Sequence, residues 1–139
     1  MEASIHLITL SNVELWVQAY GRSGDHILLG AEIGLLVDEN RQFASFRIAY
    51  NTGLDSEFGK TILNIRCNDF ELFRCISDPQ LGTILVIDEI NIGYFNNLFY
   101  VDLCPIIPLD LDQIDLEDVI DSHLVCSCKS IEWNLEDLS

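Results

Sequence analysis

At 139 residues the chain has the length of one domain, and 49% hydrophobic residues suffice for a core that needs neither disulfides nor a metal. Twenty-three acids against seven bases leave a formal net charge of −16, which disfavours nucleic acid and anionic membrane, both polyanions, and makes a basic protein surface the natural partner. No apolar run approaches the roughly 20 residues of a membrane helix, Met1-Glu2-Ala3-Ser4 lacks the basic start of a signal peptide, and five irregularly spaced cysteines (Cys67, Cys75, Cys104, Cys126, Cys128) do not make a secreted disulfide framework. The expectation is a soluble, cytoplasmic protein with reduced thiols.

Residues 4–10 predict an edge strand. Residues 13–20 alternate, with Val13, Leu15, Val17 and Ala19 on one face and Glu14, Trp16, Gln18 and Tyr20 on the other, and 21–25 supply glycines for a hairpin loop. Residues 27–37 then place Ile27, Leu29, Ala31, Ile33, Leu35 and Val37 at alternate positions, the period-2 pattern of a strand with its odd face in the core. Pairing Tyr20 with His26 sets Trp16 over Gly30. A two-residue loop at Glu39-Asn40 sets Asp38 opposite Arg41 and Glu32 opposite Arg47. With 42–50 turning Ala44, Phe46, Ile48 and Tyr50 inward, the first half reads as a three-stranded meander.

Residues 51–59 break the pattern as a hinge. Residues 60–67 and 70–76 predict a hairpin around Asn68-Asp69 with Arg66 facing Glu71, 77–82 a proline turn, 83–87 a short buried strand and 98–103 another strand. Pro105 and Pro108 end the sheet. Leu116, Val119, Ile120 and His123 then fall on one helical stripe, with Asp112 or Asp115 placed to cap it. Residues 124–133 alternate again as a last strand before an acidic tail at 134–139. The fold class expected is mainly β (α+β), an antiparallel meander with hairpins forming a two-layer sandwich or partly open barrel. One short helix is expected near 112–122, inside an acidic segment, 105–139, packed on the sheet of a single domain spanning 1–139.

Motifs for chemistry are weak. Phe58-Gly59-Lys60-Thr61 resembles the end of a phosphate loop, but Gly53 is one residue too far upstream, and Asp55 and Glu57 stand where phosphate needs bare amides. Asp110, Asp112 and Asp115 resemble the start of a calcium loop, but Ile114 and Asp115 take its fifth and sixth positions, where a ligand and a glycine are required. Cys126-Ser127-Cys128 is spaced too closely for structural zinc and has no second pair, so buried reduced thiols are expected. His6, His26 and His123 lie in no nucleophile, metal or acid–base motif, and the expectation is no enzyme, no metal and no cofactor.

Charge is the remaining signal. From residue 102 onward ten acids face Lys129 alone, a net of −9, whereas the first 101 residues carry a net of −7. Asp110, Asp112, Asp115, Glu117, Asp118 and Asp121 are the candidate partner-binding patch, interleaved with apolar residues that would act as anchors. The expected function is a non-enzymatic acidic protein that captures and inhibits a basic protein, as toxin immunity proteins or inhibitors of nucleic-acid-binding proteins do, with carboxylates imitating phosphates. The alternative is a small acidic chaperone or assembly subunit. Its apolar interface would be Trp16, Tyr20, Leu28, Leu36 and Phe43 on the outer face of the 13–50 meander, a face that also suits a homodimer.

Ser77-Asp78-Pro79-Gln80-Leu81-Gly82-Thr83-Ile84-Leu85-Val86-Ile87-Asp88 is similar to a segment of the FliW family. That family consists of small acidic β-barrels that bind and inhibit a basic RNA-binding regulator. The likeness covers about a dozen residues of a common turn–strand type. FliW's early Gly-rich motif and late Asn-Leu-x-Ala-Pro segment have no counterpart here, and no family is assigned on it.

Overall fold

A computed structural model describes residues 5–21, 26–51, 60–75, 85–87, 89–103, 116 and 124–137. Within them, runs rich in Ile, Val, Phe and Tyr form ten strands: β1 (His6–Ile8), β2 (His26–Leu36), β3 (Arg41–Ala49), β4 (Thr61–Asn68), β5 (Leu72–Cys75), β6 (Leu85–Ile87), β7 (Asn91–Phe95), β8 (Leu98–Asp102), β9 (Leu124–Cys128) and β10 (Ser130–Asp137). They pair antiparallel throughout, in a six-stranded sheet ordered β1-β10-β4-β3-β2-β6 and a four-stranded sheet ordered β5-β9-β8-β7. The chain is thus mostly β. One buried cluster draws Ala44, Phe46, Ile48, Leu63, Ile65 and Ile131 from the larger sheet and Ile92, Phe99, Val101, Leu124, Cys126 and Cys128 from the smaller.

The sheets are tied together by strands that change sheet. β4 pairs with β10 from Thr61↔Asp137 to Asn68↔Ser130, and β5 pairs with β9 from Leu72↔Ser127 to Cys75↔Leu124. Two successive segments therefore run as one antiparallel ribbon that turns a corner at 69–71 and Lys129, a device typical of sheets packed at a large angle. The corner stays bonded. Lys129 N–H donates to Asn68 O (3.1 Å), Glu71 N–H to Ser127 O (2.9 Å), Leu72 N–H to Ser127 Oγ (2.9 Å) and Asp69 N–H to Gln42 O (2.7 Å). The expected hairpin of 60–67 with 70–76 is replaced by this crossing: Asp69, with left-handed φ of 54°, sends the chain into the other sheet instead of back along β4. The expected single strand at 124–133 is likewise two strands, and residues 134–137 of the expected tail pair with 61–64.

Residues 13–20 are not a strand. They form a one-turn helix, α1 (Val13–Trp16), continued by a wider π turn at Val17–Gly21. Val13, Trp16, Val17 and Tyr20 stand at i, i+3, i+4 and i+7, so a helix turns all four to the core, whereas a strand would bury Leu15 and expose Trp16. Leu15 is accordingly exposed and Trp16 buried. The three-stranded meander expected over 13–50 is therefore a β2–β3 hairpin followed by β4, and the Trp16–Gly30 pairing does not exist. Apart from Gly30 itself and its two chain neighbours, no atom of the described residues lies within 4 Å of where a Gly30 side chain would begin; Gly34 is the glycine covered, by the Phe43 ring.

β2 and β3 pair with Leu36 opposite Arg41, two residues out of the expected register, because the turn is a 3-10 turn at Val37–Glu39 closed by left-handed Asn40 (φ 52°) rather than a two-residue loop. Glu32 faces Ser45 and Gly30 faces Arg47. A two-residue slip keeps each side chain on its expected face, and Ala44, Phe46, Ile48 and Tyr50 are buried as expected. A bulge at Leu29 then shifts the ladder, so that Leu28 pairs with Ile48. A hairpin not expected from sequence joins β7 to β8 through Asn96-Asn97, both left-handed (φ 54° and 67°), as a two-residue turn between antiparallel strands requires.

The edge strand expected at 4–10 exists as β1, seated beside β10 rather than beside residues 13–20. The short strand expected at 83–87 exists as β6, and that at 98–103 as β8. The loop at 22–25, the hinge at 52–59, the turn at 77–82 and the helix expected near 112–122 lie outside the described residues, apart from Leu116, which is helical. Among the described residues no helix is long and apolar enough to cross a membrane.

Gly21 closes the helical segment against the smaller sheet. Its carbonyl accepts from Ile90 N–H (2.8 Å), and a Cβ there would lie 2.1 Å from Ile90 O. Backbone cannot yield as a flexible side chain would. Gly21→Ala is expected to cost about 1–3 kcal/mol in chemical denaturation, while Gly30→Ala, with open space around it, should stay within about 0.5 kcal/mol of the parent.

Candidate functional site

Asn40 and Asp69 both adopt the left-handed backbone that Asn and Asp tolerate best, and this sets the β2–β3 turn across from the sheet-changing corner. A surface cleft of about 450 Å3 lies between them, lined by Leu35, Leu36, Val37, Phe70, Arg41, Gln42, Glu71 and Lys129 as well as by the two turn residues. Arg41 spans its floor, with Nε 3.3 Å from Asp69 Oδ1, Nη2 3.4 Å from Oδ2 and Nη1 4.0 Å from Glu39 Oε2. The hydrogen bond to Asp69, then that carboxylate's charge, raises the Arg41 pKa above its already high value, so this group is a fixed cation. Gln42 Nε2 donates to Phe70 O (2.6 Å) and holds the apolar wall in place. The cleft suits an apolar side chain flanked by polar contacts.

The outer face of the larger sheet carries a second depression, of about 300 Å3. Cross-strand pairing stacks Glu32, Ser45, Arg66 and Glu132 in one row, and Gly30, Arg47, Asn64 and Asn134 in the next. Asn64 donates to Asn134 Oδ1 (2.8 Å) and to Glu136 Oε1. Arg66 lies 4.1 Å from the centre of the Phe43 ring, a cation–π contact worth about 0.5–1 kcal/mol at an exposed site. Its Nε donates to Asn68 Oδ1 (3.0 Å), so it does not face Glu71 as expected.

Among the described residues that line the two depressions there is no histidine or cysteine. His6 tilts against Trp133 (centroids 5.0 Å apart), and His26 is fully buried, stacked on Tyr50 at 4.3 Å. His26 Nδ1 accepts from Asn51 N–H (2.9 Å), which leaves the ring proton on Nε2. His123 lies outside the described residues.

Cys67, Cys126 and Cys128 are free thiols buried where the ribbon turns. The Cys67 thiol is pushed well above the ordinary thiol range, first by hydrogen bonding with Cys126 and Cys128 and then by burial. Among the described residues no group of three or more His, Cys, Asp or Glu is arranged to hold a metal ion.

The sequence-predicted sites fare differently. Asp110, Asp112, Asp115, Glu117, Asp118 and Asp121 lie outside the described residues. Leu116 is half-buried and packs against the buried cluster of Tyr100 and Val125 on the smaller sheet, as Leu72, Phe95 and Leu98 also do. The expected apolar interface is dispersed. Trp16 is in the core, edge-on to Trp133 at 5.9 Å; Tyr20 packs between Tyr50 and Trp133, with Tyr50 OH donating to its carbonyl (2.9 Å); and Leu28 packs on the same cluster. Leu36 borders the cleft, and Phe43 covers Gly34. Strand alternation puts these five residues on one face, and the helix at Val13–Trp16 turns Trp16 into the core instead.

The exposed apolar surface lies elsewhere. Ile33, Leu35 and Val37, expected in the core, are 53%, 69% and 81% exposed. Ala31 and Ile33 oppose Phe46 and Ala44, so they share the core side of the sheet, yet Ile33 and Leu35 are left uncovered there. Period 2 predicts the side and not the cover. Comparison with protein-family models, curated proteins and solved structures gives no match. Of the FliW-like stretch, residues 85–87 form β6, and the rest lies outside the described residues.

The buried thiols generate an expectation. Folding holds the Cys67 proton above the pH at which the unfolded thiol ionises, so this group's contribution to stability is complete at neutral pH and falls as pH rises through the thiol range. Peptide mapping after iodoacetamide treatment should find Cys67, Cys126 and Cys128 unlabelled in the native protein at mildly alkaline pH and labelled once denaturant is added.

Proposed function

We propose that this chain is a non-enzymatic acidic binding protein that captures and inhibits a basic protein, in the manner of toxin immunity proteins or of inhibitors of nucleic-acid-binding proteins. Its scaffold is a single domain with the two sheets as the layers of a sandwich. The charged patch is Asp110, Asp112, Asp115, Glu117, Asp118 and Asp121, at spacings that allow carboxylates to stand in for phosphates.

One observation carries the reading. Against a net charge of −16, both ion pairs formed between described residues involve a single cation, Arg41. Selection for solubility alone is satisfied by a net charge of about 2–8 in a small domain, and excess charge destabilises the compact state by self-repulsion. A partner of opposite charge offsets that cost, accelerating encounter through steering, while apolar anchors slow release. Leu116, the described residue within this acidic stretch of sequence, packs against the Tyr100 and Val125 cluster of the smaller sheet. The two depressions support binding of side chains from another macromolecule: both are open to the surface, unlike the enclosing sites of small ligands.

Capture from native lysate with elution in a salt gradient names the partner, and titration calorimetry on the purified pair then tests the reading. Affinity is expected to fall steeply as salt rises. A variant with the six carboxylates changed to Asn or Gln should bind about tenfold weaker or worse, with a shallower salt dependence. The same affinity and slope in a folded variant overturns the assignment.

A further inference from the structure

We propose that the edge of β2 over Gly30–Leu36, which no described residue pairs with, is covered by a second copy of this chain, the two strands pairing antiparallel about a two-fold axis at Ile33. Along its whole length β2 bonds to β3, but on its other side β6 reaches only His26–Leu28. Among the described residues nothing pairs with Gly30–Leu36 on that side. Exposed edges in soluble proteins are blunted by charge, proline or a bulge. Here the bulge sits at Leu29, before the open stretch begins, and Glu32 is the only charged residue within it.

The edge is complementary to itself. An axis at Ile33 sets Ile33 against Ile33, Ala31 against Leu35, Glu32 against Gly34 and Gly30 against Leu36. Residues directly opposite share a face, so Ala31, Ile33 and Leu35 of both copies join into one apolar strip on that face. On the other side each Glu32 meets a glycine. An axis at Glu32 instead opposes two carboxylates, and one at Gly34 pairs five residues where Ile33 pairs seven. Two-fold self-pairing is the commonest closed interface.

Size and charge fix how such a dimer behaves. Seven paired residues with the exposed faces of Ile33, Leu35 and Leu36 bury on the order of 500 Å2 per copy, the low end for a specific interface, so the association expected is a weak one. Each copy also carries −16, and of the 23 acids only Glu32 lies in β2, so the strand is where two such chains approach with least local repulsion. Salt screens what repulsion remains. Dimerisation therefore strengthens as salt rises, the opposite of the dependence expected for capture of a basic partner, and the two readings fail separately.

Sedimentation velocity of the whole protein across micromolar concentrations at low and high salt should show a monomer–dimer equilibrium that shifts toward dimer in salt. Ile33→Lys, which lowers the net negative charge yet opposes two cations at the axis, should raise the dimer dissociation constant at least tenfold while leaving the circular dichroism unchanged. Ile33→Cys should form an intermolecular disulfide with oxidised glutathione, because residues facing across an antiparallel pair stand about 4.5–5.5 Å apart between Cα atoms. Leu35→Cys, which faces Ala31, should not. A chain that stays monomeric at every salt concentration, an Ile33→Lys variant that dimerises normally, or a Leu35→Cys variant that cross-links more readily than Ile33→Cys overturns the proposal. Loss of basic-partner capture in Ile33→Lys without any wild-type dimer overturns it equally, and assigns the edge to that partner.

Discussion

Where β4 gives way to β5 and β9 to β10, the paired segments keep exchanging backbone hydrogen bonds through the turn, and most of the molecule is arranged by that continuity. A ribbon that stays bonded while changing sheets settles the relative placement of the two sheets in one step, because each serves as the start of the other. It also decides what is buried at the junction. Cys67 on one arm and Cys126 and Cys128 on the other are brought together, small and polarisable enough to fill the inside of a bend where larger side chains would collide. On the outside of the same bend, Asp69 takes left-handed backbone and meets Arg41, which gives the larger cleft its floor.

How far this was legible in the sequence depends on which physical signal each element rests on. The faces of β3 and β4 follow from alternation alone, and a register slip of two leaves them intact, so Phe46, Ile48, Ile65 and Cys67 are identifiable without coordinates. The corner was legible in principle. Apolar residues occupy even positions at Leu124, Cys126 and Cys128, then odd positions at Ile131, Trp133 and Leu135, and the phase changes at Lys129. Residues 13–20 satisfied two periods at once. Alternation and an i, i+3, i+4, i+7 stripe both fit, and the decision belonged to Trp16, which is too large to leave in water when a core position is available. The lack of cover over Ile33, Leu35 and Val37 was not legible at all, since alternation assigns a side chain to a face and carries no information on what lies against that face.

The two unusual properties of this surface are distributed in opposite ways. Negative charge is spread along most of the chain and is densest from residue 102 onward, whereas among the described residues the exposed large apolar side chains, Tyr94 apart, fall in two stretches, residues 5–15 and β2 with its turn. Carboxylates repel one another over a distance comparable to the screening length in salt, while apolar contact acts only at touching distance. A molecule built this way repels its own kind until two edges are aligned, which favours one defined pairing over disordered aggregation through the same strip. Near-zero charge density along an exposed strand would carry the opposite risk in a neutral protein.

The position of β10 in the larger sheet has a consequence for the timing of folding. That strand sits between β1 and β4, and among the described residues it is the sole strand bonded to β1, whose residues 6–8 await residues 131–133. A ribosome making this chain in order releases β1, α1 and the β2–β3–β4 hairpins well before the segment that closes the sheet. Until then β4 has a bare edge, and Leu63, Ile65 and Cys67 have only part of their cover. Closure by contacts so distant in sequence is slow compared with hairpin formation, so the interval between synthesis of β4 and arrival of β10 is when the nascent chain depends most on its own negative charge to stay apart from its neighbours.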